Sequence, residues 1–342
     1  MTRSSQRKNP QTQVKPSKNR FFIAEDLSRE HAEDLHRAEA LRQVAQFFAR
    51  STHAEIHLVH VEDFAALPGT RTRYDAYFSG LLKKRSKRLQ QLEKKFQVPV
   101  ASHLLEGSPK EEIIKLLFSS KLGLDEGGSK RRGELSLLGV GTHGYSGVKR
   151  LLLGSVAEEL LRHSPIPVLT LGVSAQEAVL EAKSRWRDRT TQKTTFLVPT
   201  DLSPRSKGAE SFALEFAKQM GGEIIFFHSL FQQMHPVLQT AFSSPSGRRE
   251  LSQLTEELHE KAEQELAKRV ARAHETGVSA RALISDETLP ASTLILRAIR
   301  NEAVHAVIMG TRARHLFLRG FLGSTAREVI LRAPAPVITL RS

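Results

Sequence analysis

The feature that most constrains the fold of this chain is an internal repeat that covers nearly its whole length. The segment Phe21–Ser28 reappears as Phe196–Ser203, so each copy begins with a short apolar run that ends in Asp-Leu-Ser. Near the other end of each copy, Pro165–Leu171 matches Pro334–Leu340. A regular repeat of this length indicates duplication of a whole structural unit, and a chain of 342 residues has room for two such units.

Each copy alternates apolar runs with helical patterns. The second apolar run is Ile56–Val61 in the first copy and Ile224–His228 in the second. Such nearly continuous apolar runs are typical of strands that helices cover on both faces. Apolar residues at helical spacing, such as Leu41, Val44 and Phe48, lie between the runs and predict amphipathic helices. We therefore predict two tandem Rossmann-like (flavodoxin-like) domains, each a five-stranded, mostly parallel sheet with helices on both faces.

These patterns divide the chain into four segments. We predict a disordered basic arm at 1–19, a first domain at 20–172, a polar linker with a short helix at 173–193 and a second domain at 194–342. A stretch rich in Gly, Lys and Arg at 123–133 is predicted to be a surface loop of the first copy. The arm could touch nucleic acid or anionic lipid, but solvated tails are commoner, so we expect no nucleic-acid partner.

Composition excludes several classes of protein. The chain has no cysteine, which rules out disulfides, thiolate metal sites and cysteine nucleophiles. No apolar run approaches the roughly 18 residues that a membrane-spanning helix needs, and the N-terminus has no signal-type apolar core. Hydrophobic residues make up 39% of the chain, enough for ordinary buried cores. We expect a cytoplasmic protein without a membrane span.

The candidate site follows the fourth predicted strand of the first copy. Here the sequence reads Gly141-Thr142-His143-Gly144, and Gly154-Ser155 opens a helix after nine further residues. Glycines let main-chain amides approach a ligand closely, and a helix N-terminus favours phosphate. In doubly wound sheets, ligands bind beyond the carboxyl ends of the strands, where both Gly141 and Asp26 are expected. The glycines alone could be mere turns, but the whole arrangement favours a phosphate site.

Three features together resemble the universal stress protein family. They are the pattern Gly-x2-Gly-x9-Gly-Ser, the Asp-Leu-Ser end of the first strand and the closing strand Pro-x-Pro-Val-x-x-Leu. The resemblance covers the chain once per half and implies a tandem member of the family. Nucleotide-binding members hold ATP with an aspartate after the first strand, a main-chain contact on the second strand and the glycine loop. They often carry proline two residues before the aspartate, where this chain has Ala24.

The resemblance implies an adenine-nucleotide site in the first copy, with ATP as the cofactor and any Mg²⁺ arriving with it. Asp26 and Val61 would contact the nucleoside, while Val140 and Gly141 would lie under the ribose and the α-phosphate. The positions implied around the phosphates are Gly144, Gly154, Ser155 and Val156. Asp26 could instead serve only as a charge or cap partner of the following helix.

The second copy keeps part of the same pattern. Its matching positions are Pro199, Asp201, Met309, Gly310, Gly323 and Ser324. Ala313 replaces the second loop glycine and Ser229 replaces the second-strand valine; alanine disfavours positive φ and adds a methyl group where a phosphate must approach. Arg312, Arg314 and Arg319 could supply anion contacts or could form a basic surface. We expect weakened or altered nucleotide binding in this half.

These observations favour a binding protein over an enzyme. No nucleophile and base can be paired, no P-loop occurs, and Ala24–Ser28 lacks the Ser-Gly-Gly-rich loop of an ATP pyrophosphatase, so we expect slow ATP hydrolysis at most. No histidine and carboxylate cluster has metal-ligand spacing, and His57 and His60 fall on opposite faces of one strand. We predict no catalytic residue and no metal site.

Function and assembly are expected to follow the family. The resemblance implies a stress-response protein that binds an adenine nucleotide, with two alternatives left open: a nucleotide-free, partner-binding stress protein and a weak ATPase. Family members often pair their units through the last strand. The two halves are therefore expected to form an intramolecular pseudo-dimer, with association into a homodimer as a further option.

Overall fold

The computed structural model of the protein describes residues 19–28, 32–64, 75–119, 134–142, 153–182, 186, 193–231, 233–234, 245–311 and 322–341. The basic arm up to residue 18 and the predicted surface loop at 123–133 lie outside the described residues. The same holds for His143, Gly144, Ala313 and the three arginines of the second loop.

Within these ranges the chain forms ten strands and nine α-helices. The strands are β1 Arg20–Ala24, β2 Glu55–Glu62, β3 Val100–Glu106, β4 Ser136–Gly141, β5 Val168–Leu171, β6 Thr195–Pro199, β7 Glu223–Ser229, β8 Ser279–Ser285, β9 Ala306–Gly310 and β10 Val337–Leu340. The helices are α1 Ala32–Thr52, α2 Asp75–Glu93, α3 Pro109–Phe118, α4 Ser155–His163, α5 Val173–Glu181, α6 Lys207–Met220, α7 Pro245–Glu275, α8 Ala291–Asn301 and α9 Ser324–Arg332. A short 3₁₀ helix, Pro204–Ser206, precedes α6.

The strands join into one sheet in the order β3-β2-β1-β4-β5-β10-β9-β6-β7-β8. Each half contributes five parallel strands in the order 3-2-1-4-5, which is the Rossmann order. The two halves meet where β5 and β10 pair antiparallel, with Leu169 opposite Ile338. The predicted α/β fold with a mostly parallel sheet is therefore confirmed. The domain limits drawn from the sequence stay a prediction, because the sheet continues through both halves.

The inner strands are mainly apolar on both faces because helices cover both, whereas the edge strands β3 and β8 are more exposed. Successive residues of a strand point to opposite faces, so Phe21 and Ile23 pack into the core beneath α1 and α2, while Phe22 packs into the core beneath α3 and α4. Each of these cores continues into the second half, where α6 and α7 cover the first face and α8 and α9 the second.

The junction between the halves is packed with aromatic rings. Phe48 of α1 meets Phe216 of α6 edge to face, with 5.1 Å between ring centroids. Trp186 is buried beside them, with its ring centroid 6.2 Å from that of Phe48. The side-chain amide of Asn19 donates to the Gln219 Oε1 atom of the other half at 2.7 Å. The short helix predicted in the linker is α5, which packs against α1 and α9.

None of the described helices is both long enough and apolar enough to cross a bilayer.

Candidate functional site

A cavity of about 490 Å³ opens at the carboxyl ends of β1, β2 and β4. This volume lies in the ordinary range of small-molecule sites, about 300–1,000 Å³. Seven of the eight residues implied for the first copy line it: Asp26, Val61, Val140, Gly141, Gly154, Ser155 and Val156. The eighth, Gly144, lies outside the described residues. Residues from four separate elements of the first half thus meet around one space.

The turn after β1 places Asp26 at the cavity. Asp26 is exposed, and its Oδ1 atom accepts hydrogen bonds from the Ser28 backbone N–H at 3.0 Å and from the Ser28 hydroxyl. The turn is held from α2, because Arg85 donates to the Leu27 carbonyl oxygen, and Arg88 donates to the same oxygen at 3.2 Å. These contacts fix the carboxylate at the mouth of the cavity.

A buried charge network lies beneath this turn. Glu25 accepts two hydrogen bonds from Arg42 Nη1, at 3.1 and 2.9 Å. Burial raises the pKa of the Glu25 carboxyl against the opposing charge of Arg42. His60 lies with Nδ1 2.8 Å from the Glu25 carbonyl oxygen and with Nε2 3.1 Å from Glu62 Oε2. The network ties the ends of β1 and β2 to α1.

Glu62 completes the network at the end of β2. It accepts a hydrogen bond from Arg85 Nε at 2.8 Å. Burial acts to raise the pKa of the Glu62 carboxyl, but the hydrogen bonds from His60 and Arg85 hold it below its ordinary value. No sequence motif marks Glu25, Arg42, Glu62 or Arg85 as part of a site. In the sequence these four appear only as charged residues within apolar patterns. The ion pairs that join them across distant elements are seen only in the three-dimensional structure.

The start of α4 forms the opposite wall of the cavity. The Gly154 N–H donates to the Thr142 carbonyl oxygen at 2.8 Å, which joins the two ends of the glycine loop. Gly154 is the N-cap of α4 and, as a glycine, has no side chain with which to cap the helix. The partial positive charge of this helix end therefore borders the cavity, as an anion site requires.

Gly141 faces open space across the cavity. A Cβ atom built at Gly141 meets no other heavy atom within 4 Å. Side chains such as Val59, Ile113 and Val140 line the remaining wall. The cavity thus combines an apolar wall, carboxylates at the mouth and an uncapped helix N-terminus.

The second half repeats the same scaffold. Pro199 ends β6 with Asp201 two residues on, Met309 and Gly310 end β9, and Gly323 and Ser324 open α9. The Gly323 N–H donates to the Thr311 carbonyl oxygen at 2.8 Å, as its counterpart does in the first half. Each predicted residue of this half therefore lies at the same sheet edge as its first-half equivalent.

Other scaffold contacts recur as well. His228 Nδ1 lies 2.8 Å from the Thr200 carbonyl oxygen, matching His60, and Arg269 of α7 donates to the Leu202 carbonyl oxygen, matching Arg85. Arg269 also forms an ion pair with the buried Glu210, with 2.9 Å between Nε and Oε1. In both halves, a histidine and an arginine thus contact the backbone of the turn that carries the aspartate.

The surroundings of the two aspartates differ. Asp201 is half-buried, and its Oδ1 atom accepts from the Ser203 N–H at 3.0 Å and from the Ser206 hydroxyl at 2.6 Å. Two larger side chains also replace valines that line the first cavity. By strand register Phe227 occupies the position of Val59, and Met309 occupies the position of Val140. At these two positions the side chains of the second half are therefore bulkier.

Among the described residues, no three side chains of His, Cys, Asp or Glu come together in a way that could hold a metal ion. His57 and His60 lie on opposite faces of β2, as predicted, because His57 stacks on Phe22 while His60 reaches the end of β1.

Comparison with known proteins gives concordant matches. The sequence model of the universal stress protein family matches residues 131–171 and 194–341. A universal stress protein of Methanocaldococcus jannaschii is 30% identical over 141 residues, which cover 40% of this chain and 74% of that protein. The crystal structure of a universal stress protein from Archaeoglobus fulgidus superposes with a TM-score of 0.61 at 21% identity, covering 95% of this chain and 98% of that one. That structural likeness concerns the fold alone.

Proposed function

Because the chain belongs to the universal stress protein family, we propose that it is a cytoplasmic stress-response protein that binds ATP or a related adenine nucleotide, mainly in the first-half cavity. One observation carries the proposal. Seven residues implied by the family pattern, which are separated by up to 130 positions in sequence, line a single cavity of suitable volume. A doubly wound sheet binds its ligands at this edge.

The chemistry of the cavity suits a nucleoside with an attached phosphate. The Asp26 carboxylate is an acceptor for ribose hydroxyls, and the valine-lined wall offers apolar contact for a flat base. Gly141 leaves room for close approach of the ligand to the backbone. The uncapped amides at the start of α4 would hold a phosphate.

The second half is proposed to bind nucleotide weakly or not at all. Phe227 and Met309 are bulkier than the valines they replace, and Asp201 is half-buried whereas Asp26 is exposed. A ligand there would have to displace side chains that are well packed, since Phe227 and Met309 are both buried.

Two further parts of the proposal concern chemistry and assembly. Binding rather than turnover is proposed, because no nucleophile and base can be paired from the sequence. The antiparallel pairing of β5 with β10 supports an intramolecular pseudo-dimer, in which each half takes the place of one subunit. A homodimer of whole chains is a separate option that this pairing does not require.

The test is calorimetric titration of ATP, with and without Mg²⁺, into the wild type and two matched variants. Gly141→Val adds a side chain that projects into open space, so it should block the cavity without disturbing the fold. Gly310→Val makes the same change at the equivalent position of the second half. We expect one ATP per wild-type chain, at least about a hundredfold weaker binding in Gly141→Val, about 2.7 kcal/mol, and little change in Gly310→Val.

Unchanged affinity in Gly141→Val would refute the site. The alternatives have their own outcomes in the same experiment. No binding at all, together with no nucleotide co-purified with the wild type, would favour a nucleotide-free partner-binding protein. Steady release of phosphate in a parallel turnover assay would favour the weak ATPase.

A further inference from the structure

The outer face of α2 is strongly cationic. The helix carries five Lys or Arg residues against two acids, and Lys94 and Lys95 follow directly in the next turn. Lys83, Lys84 and Lys87 are exposed, as are Lys94 and Lys95. We call these five lysines the α2 basic face. At about 100° per residue, its three helical members occupy the side of the helix opposite to the buried Leu89 and Leu92.

The fold itself does not require this charge. In the second half α7 fills the equivalent position, between the second and third strands of its half, and it carries six Lys or Arg residues against seven acids. Its exposed side chains mix both signs, with Glu256, Glu257, Glu260 and Glu263 beside Lys261. The same structural position thus exists twice in one chain, and only one of the two helices is predominantly basic.

We propose that the α2 basic face is a contact surface for the phosphate backbone of double-stranded nucleic acid, without sequence preference. The formal net charge of +14 and the sequence pI of about 10.1 attract polyanions to the molecule. From Lys83 to Lys95 the face extends about 18 Å at about 1.5 Å per residue. That length matches about five base pairs at about 3.4 Å each.

The face suits a polyanion better than a lipid surface. Helices that bind membranes place an apolar band beside their cations and bury it in the headgroup region. In α2 the apolar side chains Phe78, Leu89 and Leu92 are buried in the protein core, and Tyr77 is the large apolar side chain left exposed. The expectation of no nucleic-acid partner rested on the N-terminal arm, whereas this surface belongs to the folded body.

The described acids nearby offset only part of the positive charge. Glu62 is paired with Arg85. Glu93, which accepts a hydrogen bond from the Ser102 hydroxyl, contributes one negative charge beside the seven cations of α2 and the turn that follows it. Glu39 is paired with Arg42, although Lys95 is near enough to contribute to the lowered pKa of its carboxyl. Lys83, Lys87 and Lys94 are therefore the residues to reverse in a test.

The experiment measures binding of a fluorescent DNA duplex of about twenty base pairs to the full chain by anisotropy, from about 50 to 200 mM salt. The test variant is Lys83→Glu with Lys87→Glu and Lys94→Glu. The matched control is Lys261→Glu with Lys268→Glu and Arg272→Glu on α7, three exposed positions whose reversal changes the net charge equally. Thermal melting verifies that both variants fold, and none of the six residues lines the nucleotide cavity.

We expect the α2 variant to bind duplex at least about tenfold more weakly than the wild type. The slope of its log affinity against log salt concentration should be smaller in magnitude by about three. The α7 variant should retain the wild-type slope. Equal losses in both variants would show that only net charge matters and would overturn the proposal. So would absence of duplex binding by the wild type, or loss of binding to anionic vesicles rather than to duplex in the α2 variant. None of these readouts depends on ATP binding.

Discussion

The two halves of this chain share a scaffold and differ in what the scaffold surrounds. Both have the strand order 3-2-1-4-5, and both close the glycine loop with a backbone hydrogen bond of 2.8 Å. Both also place a histidine nitrogen 2.8 Å from the carbonyl oxygen that precedes the aspartate. Yet valines line the cavity of the first half where Phe227 and Met309 stand in the second.

This contrast separates what the fold needs from what a ligand needs. The shared contacts are mostly backbone bonds and buried scaffold pairs, which any copy must keep in order to fold. The differing residues line the ligand edge, where substitution changes the available space without breaking the sheet. Fold therefore does not settle function even between two halves of one molecule.

We expect the greatest loss of stability from a substitution at the junction between the halves, which also tests whether the two halves unfold independently. Phe48→Ala removes a fully buried ring that packs against Phe216 of the other half. Loss of a buried phenyl ring costs about 3–5 kcal/mol. We expect urea unfolding, followed by Trp186 fluorescence and by circular dichroism, to show one transition shifted to lower denaturant. The control Phe118→Ala removes an exposed ring, and two separable transitions with only one shifted would show that the halves unfold independently.

We expect the buried His57 of the first half to make the chain sensitive to acid. Burial, with His103 and Arg20 nearby, lowers the pKa of His57 to about 4. An unfolded histidine takes up a proton near pH 6.5, so the contribution of neutral His57 is intact above that pH and is lost as the pH falls toward 4. The loss should approach about 1.4 kcal/mol per pH unit in this window.

The second half supplies the control for this prediction. Ile225 occupies the equivalent position by strand register and is buried. His57→Ile should therefore flatten the dependence of unfolding free energy on pH between about 6.5 and 4. An unchanged pH dependence in this variant would assign the effect to other groups.

A smaller effect is expected at the contact between the halves after β5. A Cβ atom at Gly172 would stand 2.7 Å from the carbonyl oxygens of Ile330 and Leu331 in α9. Because backbone atoms cannot yield easily, Gly172→Ala should destabilise by about 1–3 kcal/mol. Gly80→Ala is the control, since a Cβ there meets nothing within 4 Å and alanine favours the helix. Equal melting temperatures for the two variants would contradict the close approach.

The smallest expected effect compares how α1 and α6 end. Gly221 follows α6 with φ of 60°, and His53 follows α1 with φ of 54°. Glycine adopts this conformation without strain, whereas other residues are strained by about 1 kcal/mol in it. We expect Gly221→Ala to destabilise by about 1 kcal/mol and His53→Gly to stabilise by at most that amount, both measured by urea unfolding. A loss of stability in His53→Gly would show that the imidazole contacts outweigh the strain.

Much of the fold was predictable from the repeat. The apolar runs that end in Asp-Leu-Ser and in glycine became β1, β6, β4 and β9, because buried parallel strands leave a strong apolar signal. The strand order was not predictable in the same way. The alternation of strands and helices is common to the Rossmann and flavodoxin orders, and strand pairing between distant segments decides between them.

The candidate site was predictable in its glycines and its aspartate, but not in its support. Gly141, Gly154 and Asp26 carry a local pattern that a reader of the sequence can match. The contacts of Glu25 with Arg42, and of Arg85 with the Leu27 carbonyl oxygen, join residues 17 and 58 positions apart. No periodic pattern in the sequence indicates such pairs. The larger side chains of Phe227 and Met309 are also recognised only when strand register assigns them to the positions that Val59 and Val140 hold in the first half.

Of the two ligand edges, we expect only that of the first half to be open to a nucleotide. A crystal structure of the full chain grown with a non-hydrolysable ATP analogue would distinguish the two edges. We predict density for one nucleotide, with its ribose beside Asp26 and its phosphates at the start of α4, and no nucleotide between Asp201 and Gly323. Density at the second edge alone, or at both edges with equal occupancy, would rule out selective binding by the first half.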